Sequence, residues 1–498
     1  MKKYIKNYEW ELLQDNLKID DLKIDDLKID GTCPSSYIPE NIKNVEIYRD
    51  DLYNLNVLLT ATEDSKSDKR TLVADKMGKI FTTNISRFRG SQEIELKNCY
   101  ISSVKRISTK NSFVEEVNLI IPIGEVKIKK KSNTEPIFLI DWYLNGPEQH
   151  VFPRFTNREI TLNYERIRKS TNGSDICFKF NEPLSQGSLD FAYINTGNVK
   201  FLISKVNTDF GPSWSKNIGI EFRTEYGIIP DLEQRKVISE IISFIFGKQL
   251  IHVGYTVYGA NGEILEQYSA SPHIDNLIYL CQKPNESPIY LKLNTAFNIE
   301  NILNKLIPNY LILRDELNLE KALLLYWTAL NTPIGIDLPI YSSALELIVN
   351  SWFKSTKSKI KGLYMEKQEF ERLLSEELSK IEEILMSKEF GVAIANKMKN
   401  SNQMSVSDRF TYFFKEIDLK VGDIENKAIK ARNPSAHGSA KWNDESFEKM
   451  NINAQAYKTL LNRVILKLLD YEEYYIDWST HNSSPKKIDV PLGGRRVK

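Results

Sequence analysis

The apolar residues of this 498-residue chain change their prevailing spacing between Pro308 and Asn318. Upstream they alternate in short β-branched runs; downstream they recur at intervals of three and four. Side chains repeat every second residue along a strand and every ~3.6 residues along an α-helix, so the change divides the chain into a β-rich part and a helical part. A chain of this length exceeds what one hydrophobic core organises, which favours two or three domains. The expected fold class is therefore α+β multidomain, with a β-rich, sandwich- or barrel-like N-terminal region followed by an all-α bundle. The boundaries drawn from the sequence are 1–155 and 156–317 for two β-rich parts, the second with one helix or else continuous with the first, 318–482 for the bundle, and 483–498 for a basic, flexible tail.

Strands are expected at Val57–Thr62, Glu93–Leu96, Val117–Ile121, Val126–Lys129, Ile176–Phe180, Phe201–Ile203 and Ile251–Tyr258, each short and rich in β-branched residues. One helix interrupts them from Pro230, with Val237, Ile238, Ile241, Ile242, Ile245 and Phe246 on one stripe and Gly247 as its stop. Near the start, Asp-Leu-Lys-Ile-Asp recurs about every five residues from Asn16 to Asp30. That period suits neither helix nor strand over its full length, so the repeat reads as an exposed charged loop or as short extended segments. Lys127, Lys129, Lys130 and Lys131 form a basic cluster. It reads either as a weak RNA contact or as the lysine guard of a solvated edge strand, and alternation favours the second. Trp142, Tyr143, Phe152, Phe155 and Trp214 are expected in the interior, with a ligand groove as the alternative.

In the helical part, Leu319–Leu330 is apolar almost all round and should lie centrally in a bundle, stopped before Pro333. Further helices are expected at Tyr341–Lys354, Lys367–Met386, Glu389–Lys399, Phe410–Ile417 behind the Ser405 cap, Asp423–Arg432 and Ala454–Tyr474. Lys486, Lys487, Arg495, Arg496 and Lys498 make the end of the chain basic.

A net charge of +1 supplies no global field, so nucleic-acid affinity would have to come from a local basic surface. Cys33, Cys99, Cys177 and Cys281 form no CxxC pair, and His150, His252 and His273 have no carboxylate or second histidine at ligand spacing. No metal site, disulfide framework or cofactor is therefore expected. The N-terminus lacks an apolar leader segment and no run is long enough to span a bilayer, which together point to a cytoplasmic protein.

The remaining chemistry is concentrated in Ala431-Arg432-Asn433-Pro434-Ser435-Ala436-His437-Gly438. On an unbroken helix, residues five apart lie about 140° round the axis, so Arg432 and His437 would face different sides. A proline disfavours helical angles at the residue before it, so the helix is expected to close at Arg432 and a new turn to bring His437 onto the same face. Gly438 would allow close approach of a backbone or nucleotide. Histidine exchanges protons near neutral pH, arginine stabilises a crowded phosphate, and asparagine orients either. Such a trio suits metal-independent cleavage of RNA by attack of a 2′-hydroxyl on its own phosphate. The competing reading is a capped helix junction, with Arg432 paired to an acid and His437 satisfied in the fold.

This Arg-Asn-x-x-x-His string entering the final helices of a bundle resembles the HEPN domain, and the long β-rich N-terminal part resembles ApeA-like anti-phage HEPN proteins. The resemblance implies Arg432, Asn433 and His437 as catalytic residues, and Glu346 as the acidic helix residue that supports them. It also implies a homodimer or larger homo-oligomer formed through an HEPN-type helical bundle. The implied activity is abortive-infection cleavage of RNA, with the tRNA anticodon loop as the implied substrate. The N-terminal region would then be a sensor or autoinhibitor answering a phage-derived protein trigger. Two other readings stay open: a catalytically inert HEPN binding or oligomerisation module, and a carbohydrate-binding sandwich that its helical bundle dimerises.

Overall fold

The computed structural model describes residues 10, 11, 13, 17–20, 27–28, 41–64, 80–86, 92–108, 114–148, 151–168, 176–207, 210–291, 298–436, 444–480 and 483–493. At 20, 27–28, 41, 64, 84–86, 92, 108, 114, 155–168, 176–188, 433–436 and 444–446 the description is of the backbone alone. The chain divides into two compact units, the first comprising Met1–Ser239, Lys248–Asn285 and Leu291–Asn304, the second Glu240–Gly247, Glu286–Tyr290 and Lys305–Lys498. Sheets and helices segregate as α+β, and among the described residues no helix is long and apolar enough to cross a membrane.

Among the described residues, sixteen strands build the first unit: β1 (Leu17–Asp20), β2 (Leu27–Lys28), β3 (Asn41–Arg49), β4 (Leu55–Asp64), β5 (Phe81–Ser86), β6 (Gln92–Cys99), β7 (Ser103–Ser108), β8 (Val114–Ile123), β9 (Glu125–Lys130), β10 (Pro136–Leu144), β11 (Arg154–Arg168), β12 (Ile176–Asn195), β13 (Lys200–Lys205), β14 (Ile218–Arg223), β15 (Ile251–Gly259) and β16 (Ile264–Ala270). Helix α1 (Leu232–Phe246) precedes β15 and α2 (Leu277–Gln282) follows β16. The strands form an antiparallel five-stranded sheet, β1-β3-β4-β8-β7, and an eleven-stranded one, β11-β12-β13-β14-β10-β15-β16-β9-β6-β5-β2. Inward residues of the small sheet, such as Val45, Val57 and Leu119, share one core with Ile94, Leu96 and Val126 of the large sheet, which makes this end a sandwich.

The large sheet carries strands from both sides of the 155/156 boundary. Its middle buries Trp10, Ile140, Trp142, Val253 and Tyr258 in a second core. Arg49 joins the sheets at 2.8 Å from the Val253 carbonyl and 3.1 Å from that of Ala270, with its charge met by Glu11. Within the five-residue repeat, Leu17–Asp20 pairs with β3 and buries Ile19, while Leu27–Lys28 pairs with β5, so these copies are short extended segments in different sheets.

Strand β9 corrects one expectation. It hydrogen-bonds to β16 on one side and β6 on the other, so its lysines guard no edge. Alternation is blind to this, because a central strand with one solvated face has the same pattern as an edge strand.

In the second unit, the Glu240–Gly247 segment meets α3 (Ile299–Leu313) through a forked pair, Arg314 Nε and Nη2 lying 2.7 and 2.8 Å from the two Glu240 oxygens. Pro308 lies inside α3, so helical structure begins well before the change of texture expected at Pro308–Asn318. The buried positions Ile299, Ile302, Leu303, Leu306, Ile307 and Tyr310 carry the helical period straight through the proline. The bundle continues with α4 (Leu319–Leu330), α5 (Asp337–Lys354), α6 (Lys367–Met386), α7 (Gly391–Lys399), α8 (Val406–Glu416), α9 (Asp423–Ala436) and α10 (Asp444–Leu468). Helix α4 is two-sided rather than central: Leu323, Tyr326 and Trp327 are buried, but Leu324 is 61% exposed.

Three helix ends use one device. Asn318, Asp418 and Asp470 adopt left-handed φ values of 52°, 51° and 62°, and the following residue donates back to a carbonyl five positions earlier. These bonds, from Leu319, Leu419 and Tyr471, measure 2.8, 2.8 and 3.0 Å, and all three side chains are buried behind the turn. The sequence reading missed these stops because glycine, the usual signal, is replaced by Asn or Asp.

The expected flexible tail is folded over its described part. Strands β17 (Tyr474–Ile476) and β18 (Pro485–Lys487) form a hairpin, Lys486 is buried 2.6 Å from Asp477, and Ile488 and Leu492 are core residues. Arg495, Arg496 and Lys498 lie outside the described residues. The hairpin segment closes over a fully buried ion pair between Arg463 of α10 and Glu425 of α9, 2.5 Å apart. Arg463 also donates to the carbonyls of Ile488 (2.7 Å) and Lys420 (3.0 Å), and Glu425 accepts from the amides of Leu492 and Gly422, both at 2.9 Å. Replacing Glu425 by Gln strands the Arg463 charge out of water. We expect a loss of about 3–5 kcal/mol, read as a fall in the urea midpoint without a change in native helix content.

Candidate functional site

Arg432 lies in the last turn but one of α9, where the helix passes over α5. Its guanidinium Nη1 pairs with the Glu346 carboxylate and lies 3.3 Å from Ser342 Oγ. Ser342 and Glu346 are four residues apart and so share one face of α5, with Ser342 Oγ donating to Glu346 Oε1 at 3.3 Å. Tyr457 of α10 donates to the same serine oxygen at 3.4 Å. One hydroxyl thus uses its single proton on Glu346 and its lone pairs on Arg432 and Tyr457, which is its full capacity. Burial pushes the Tyr457 phenol up to about 12, so it remains a donor across the physiological range. From the other side, the Phe410 ring of α8 supports the guanidinium, its centroid 5.5 Å from Arg432 Cζ.

Arg432 and Glu346 of the proposed site residues are therefore in contact. Ser342, Phe410 and Tyr457 were not singled out from the sequence. Only the four-residue spacing of Ser342 and Glu346 signals them; the other two come from helices whose placement no local pattern gives.

The backbone of α9 continues through Asn433 and Pro434 to Ala436, which corrects the break expected after Arg432. A proline in the final turn costs a single i→i−4 hydrogen bond, to the Lys430 carbonyl, and the packing of α9 against α5 and α10 holds the helix past it. The Asn433 side chain, and His437 and Gly438 altogether, lie outside the described residues.

No protein-family model, curated protein or solved structure matches the chain. The reading of the site rests on its own chemistry and on the motif.

The other candidate groups fall in the first unit. Glu266 of β16 takes Lys127 at 2.9 Å and Lys129 at 3.5 Å, while Lys131 pairs with Glu93 at 3.1 Å; Lys130 is exposed. Much of the cluster's charge is thus offset within the sheet. Trp142, Tyr143 and Phe152 are buried and Trp214 is half-buried, while the Phe155 side chain is outside the description. His252 does have a carboxylate, Asp141 Oδ1 at 3.0 Å, supplied from the neighbouring strand 111 residues away. Arg235 of α1 holds the other oxygen of that buried acid at 2.7 Å. His273 is exposed at a left-handed φ of 49°, and His150 lies outside the description.

Burial raises the Glu266 carboxyl, but hydrogen bonds from Lys127 and Tyr255 and the Lys129 charge outweigh it and hold the group below the ordinary carboxylate range. A depressed carboxylate stabilises the fold above its unfolded pKa of about 4.3, and this contribution disappears as pH falls through the folded value. We expect Glu266→Gln to lower the melting temperature by about 2–4 °C at neutral pH. The difference from the parent should close as the pH is taken down toward 3, followed by thermal unfolding of both proteins.

Proposed function

We propose that the helical unit is an HEPN-type endoribonuclease that cleaves RNA without a metal ion. The observation that carries this reading is the convergence on Arg432, five residues before His437, of Glu346, Ser342 and the Phe410 ring. An arginine meant only to neutralise an acid needs one partner. This one is oriented by a carboxylate, a hydroxyl and an aromatic face, the kind of preorganisation that suits a guanidinium to a planar or tetrahedral anion.

In the proposed reaction, the ribose 2′-oxygen attacks its own 3′-phosphorus and loses its proton, and the P–O5′ bond breaks as the leaving oxygen gains one. The products are a 2′,3′-cyclic phosphate and a 5′-hydroxyl. Arg432 stabilises the charge that builds on the phosphoryl oxygens, His437 exchanges a proton with an attacking or leaving oxygen, and Asn433 orients them. Glu346 holds Arg432 and does not touch the substrate. The motif's resemblance to ApeA-like proteins supports tRNA as substrate, assembly of the helical units into a homodimer, a phage-derived trigger, and an anti-phage role controlled by the β-rich unit.

Once activated, the protein should cut structured RNA in EDTA. Arg432→Ala and His437→Ala should each lower the rate by at least about 100-fold, with circular dichroism and melting temperature preserved. Dependence on added magnesium, or activity surviving both substitutions, excludes this mechanism. Mass analysis of the fragments should show the cyclic phosphate.

A further inference from the structure

The polar ridge of α5 extends one turn beyond the Arg432 contacts. Ser342, Glu346 and Asn350 recur at four-residue intervals and so line a single face, advancing about 6 Å per step. Asn350 Oδ1 accepts from Nη1 of a second arginine, Arg409 of α8, at 2.7 Å. Arg409 immediately precedes Phe410, the ring beneath Arg432. Two guanidinium groups therefore stand on consecutive turns of one α5 face.

Their electrostatic situations differ. Arg432 has the Glu346 carboxylate as counter-charge. Arg409 is half-buried, contacts a neutral amide, and has no carboxylate partner among the described residues. Its Nε is closed off from solvent without an acceptor. The neighbouring acids are committed elsewhere. Asp408 accepts from the Tyr364 and Ser405 hydroxyls, and Glu416 accepts from Trp352 Nε1 (2.6 Å), Ser358 Oγ (2.9 Å) and the Lys359 amide (3.0 Å). A guanidinium partly withdrawn from water and lacking a counter-charge is costly to keep, and an anion that docks beside it recovers that cost.

We infer that Arg409, presented by Asn350, is a second phosphate-binding residue, which holds the phosphodiester one nucleotide removed from the one at Arg432. The inference rests on the RNA reading of the Arg432 site and deepens it. The substrate would span the two arginines as a single strand, and Arg409 would position it without taking part in the bond exchange.

The test uses the full chain carrying His437→Ala, so that RNA binds without being cut, and a fluorescent single-stranded RNA followed by anisotropy across a salt series in EDTA. Adding Arg409→Ala should weaken binding about tenfold and reduce the slope of log K against log salt by about 0.7, the loss of one phosphate contact. Arg409→Lys should restore the slope while recovering only part of the affinity, since it returns the charge without the fork. A purely structural brace between α8 and α5 would not discriminate in this way. If Arg409→Ala leaves affinity and slope unchanged, or if Arg409→Lys loses the slope as fully as alanine does, the second phosphate site is wrong and the Arg432 reading stands. If the parent binds no RNA, the reading of the Arg432 site falls, and this inference with it.

Discussion

The buried pair between Glu425 and Arg463 fixes the register of α9 against α10, and the candidate site depends on that register. Neither group has access to water, and between them they bind four backbone groups besides each other. A slip of α9 by one residue would leave both charges unpaired in the interior, at a cost of several kcal/mol, whereas a slip of purely apolar contacts is graded and cheap. The helices run antiparallel from this pair. Seven residues along α9 stands Arg432, and six residues back along α10 stands Tyr457, the two groups that meet at Ser342. The C-terminal hairpin segment supplies the Ile488 carbonyl and the Leu492 amide, so the clasp is complete only when that segment is folded over it.

This arrangement separates the anchor from the candidate site along one short helix. The N-terminal end of α9 is anchored by charge in a dry environment. Its C-terminal end carries an arginine whose partners, Glu346 and Phe410 among them, come from other helices. Catalytic groups on a rigid element are held more accurately than groups on a loop, because the element's position is set by contacts remote from the site.

The sequence made the strands and most helices legible because their apolar spacing follows burial directly. It misled where one local rule met a tertiary override. Pro308 read as the start of the change in texture and Pro434 as a helix end, yet α3 runs through the first because its buried stripe is unbroken, and α9 through the second because only one bond is lost. Lys127 and Lys129 alternate as on an edge strand, but Glu266 receives them from a neighbouring strand inside the sheet. Lys486 looked like part of a solvated tail because its counter-charge, Asp477, lies across a hairpin whose strands are only three residues long, too short to show an alternating pattern. At the site, Arg432 was legible from the motif. Glu346 came with the resemblance, Ser342 is hinted at only by its four-residue spacing from Glu346, and Tyr457 acquires its meaning from a residue on another element.

Helix α10 shows what such specification costs. Lys458, Thr459, Asn462 and Arg463 are all buried in a stretch of six residues where a bundle helix would ordinarily present leucines. Lys458 is held by Glu286 and by the Trp478 ring, Thr459 returns its hydroxyl to the Gln455 carbonyl, and Arg463 has its carboxylate. Asn462 faces the buried Tyr326 hydroxyl of α4. Apolar residues of similar volume at these positions would make the bundle at least as stable, since buried ion pairs rarely recover their desolvation. What they would remove is the penalty on wrong registers. A polar stripe of this kind therefore fits a helix whose task is to present Tyr457, at its near edge, to one particular serine on α5, and stability is the quantity given up for it.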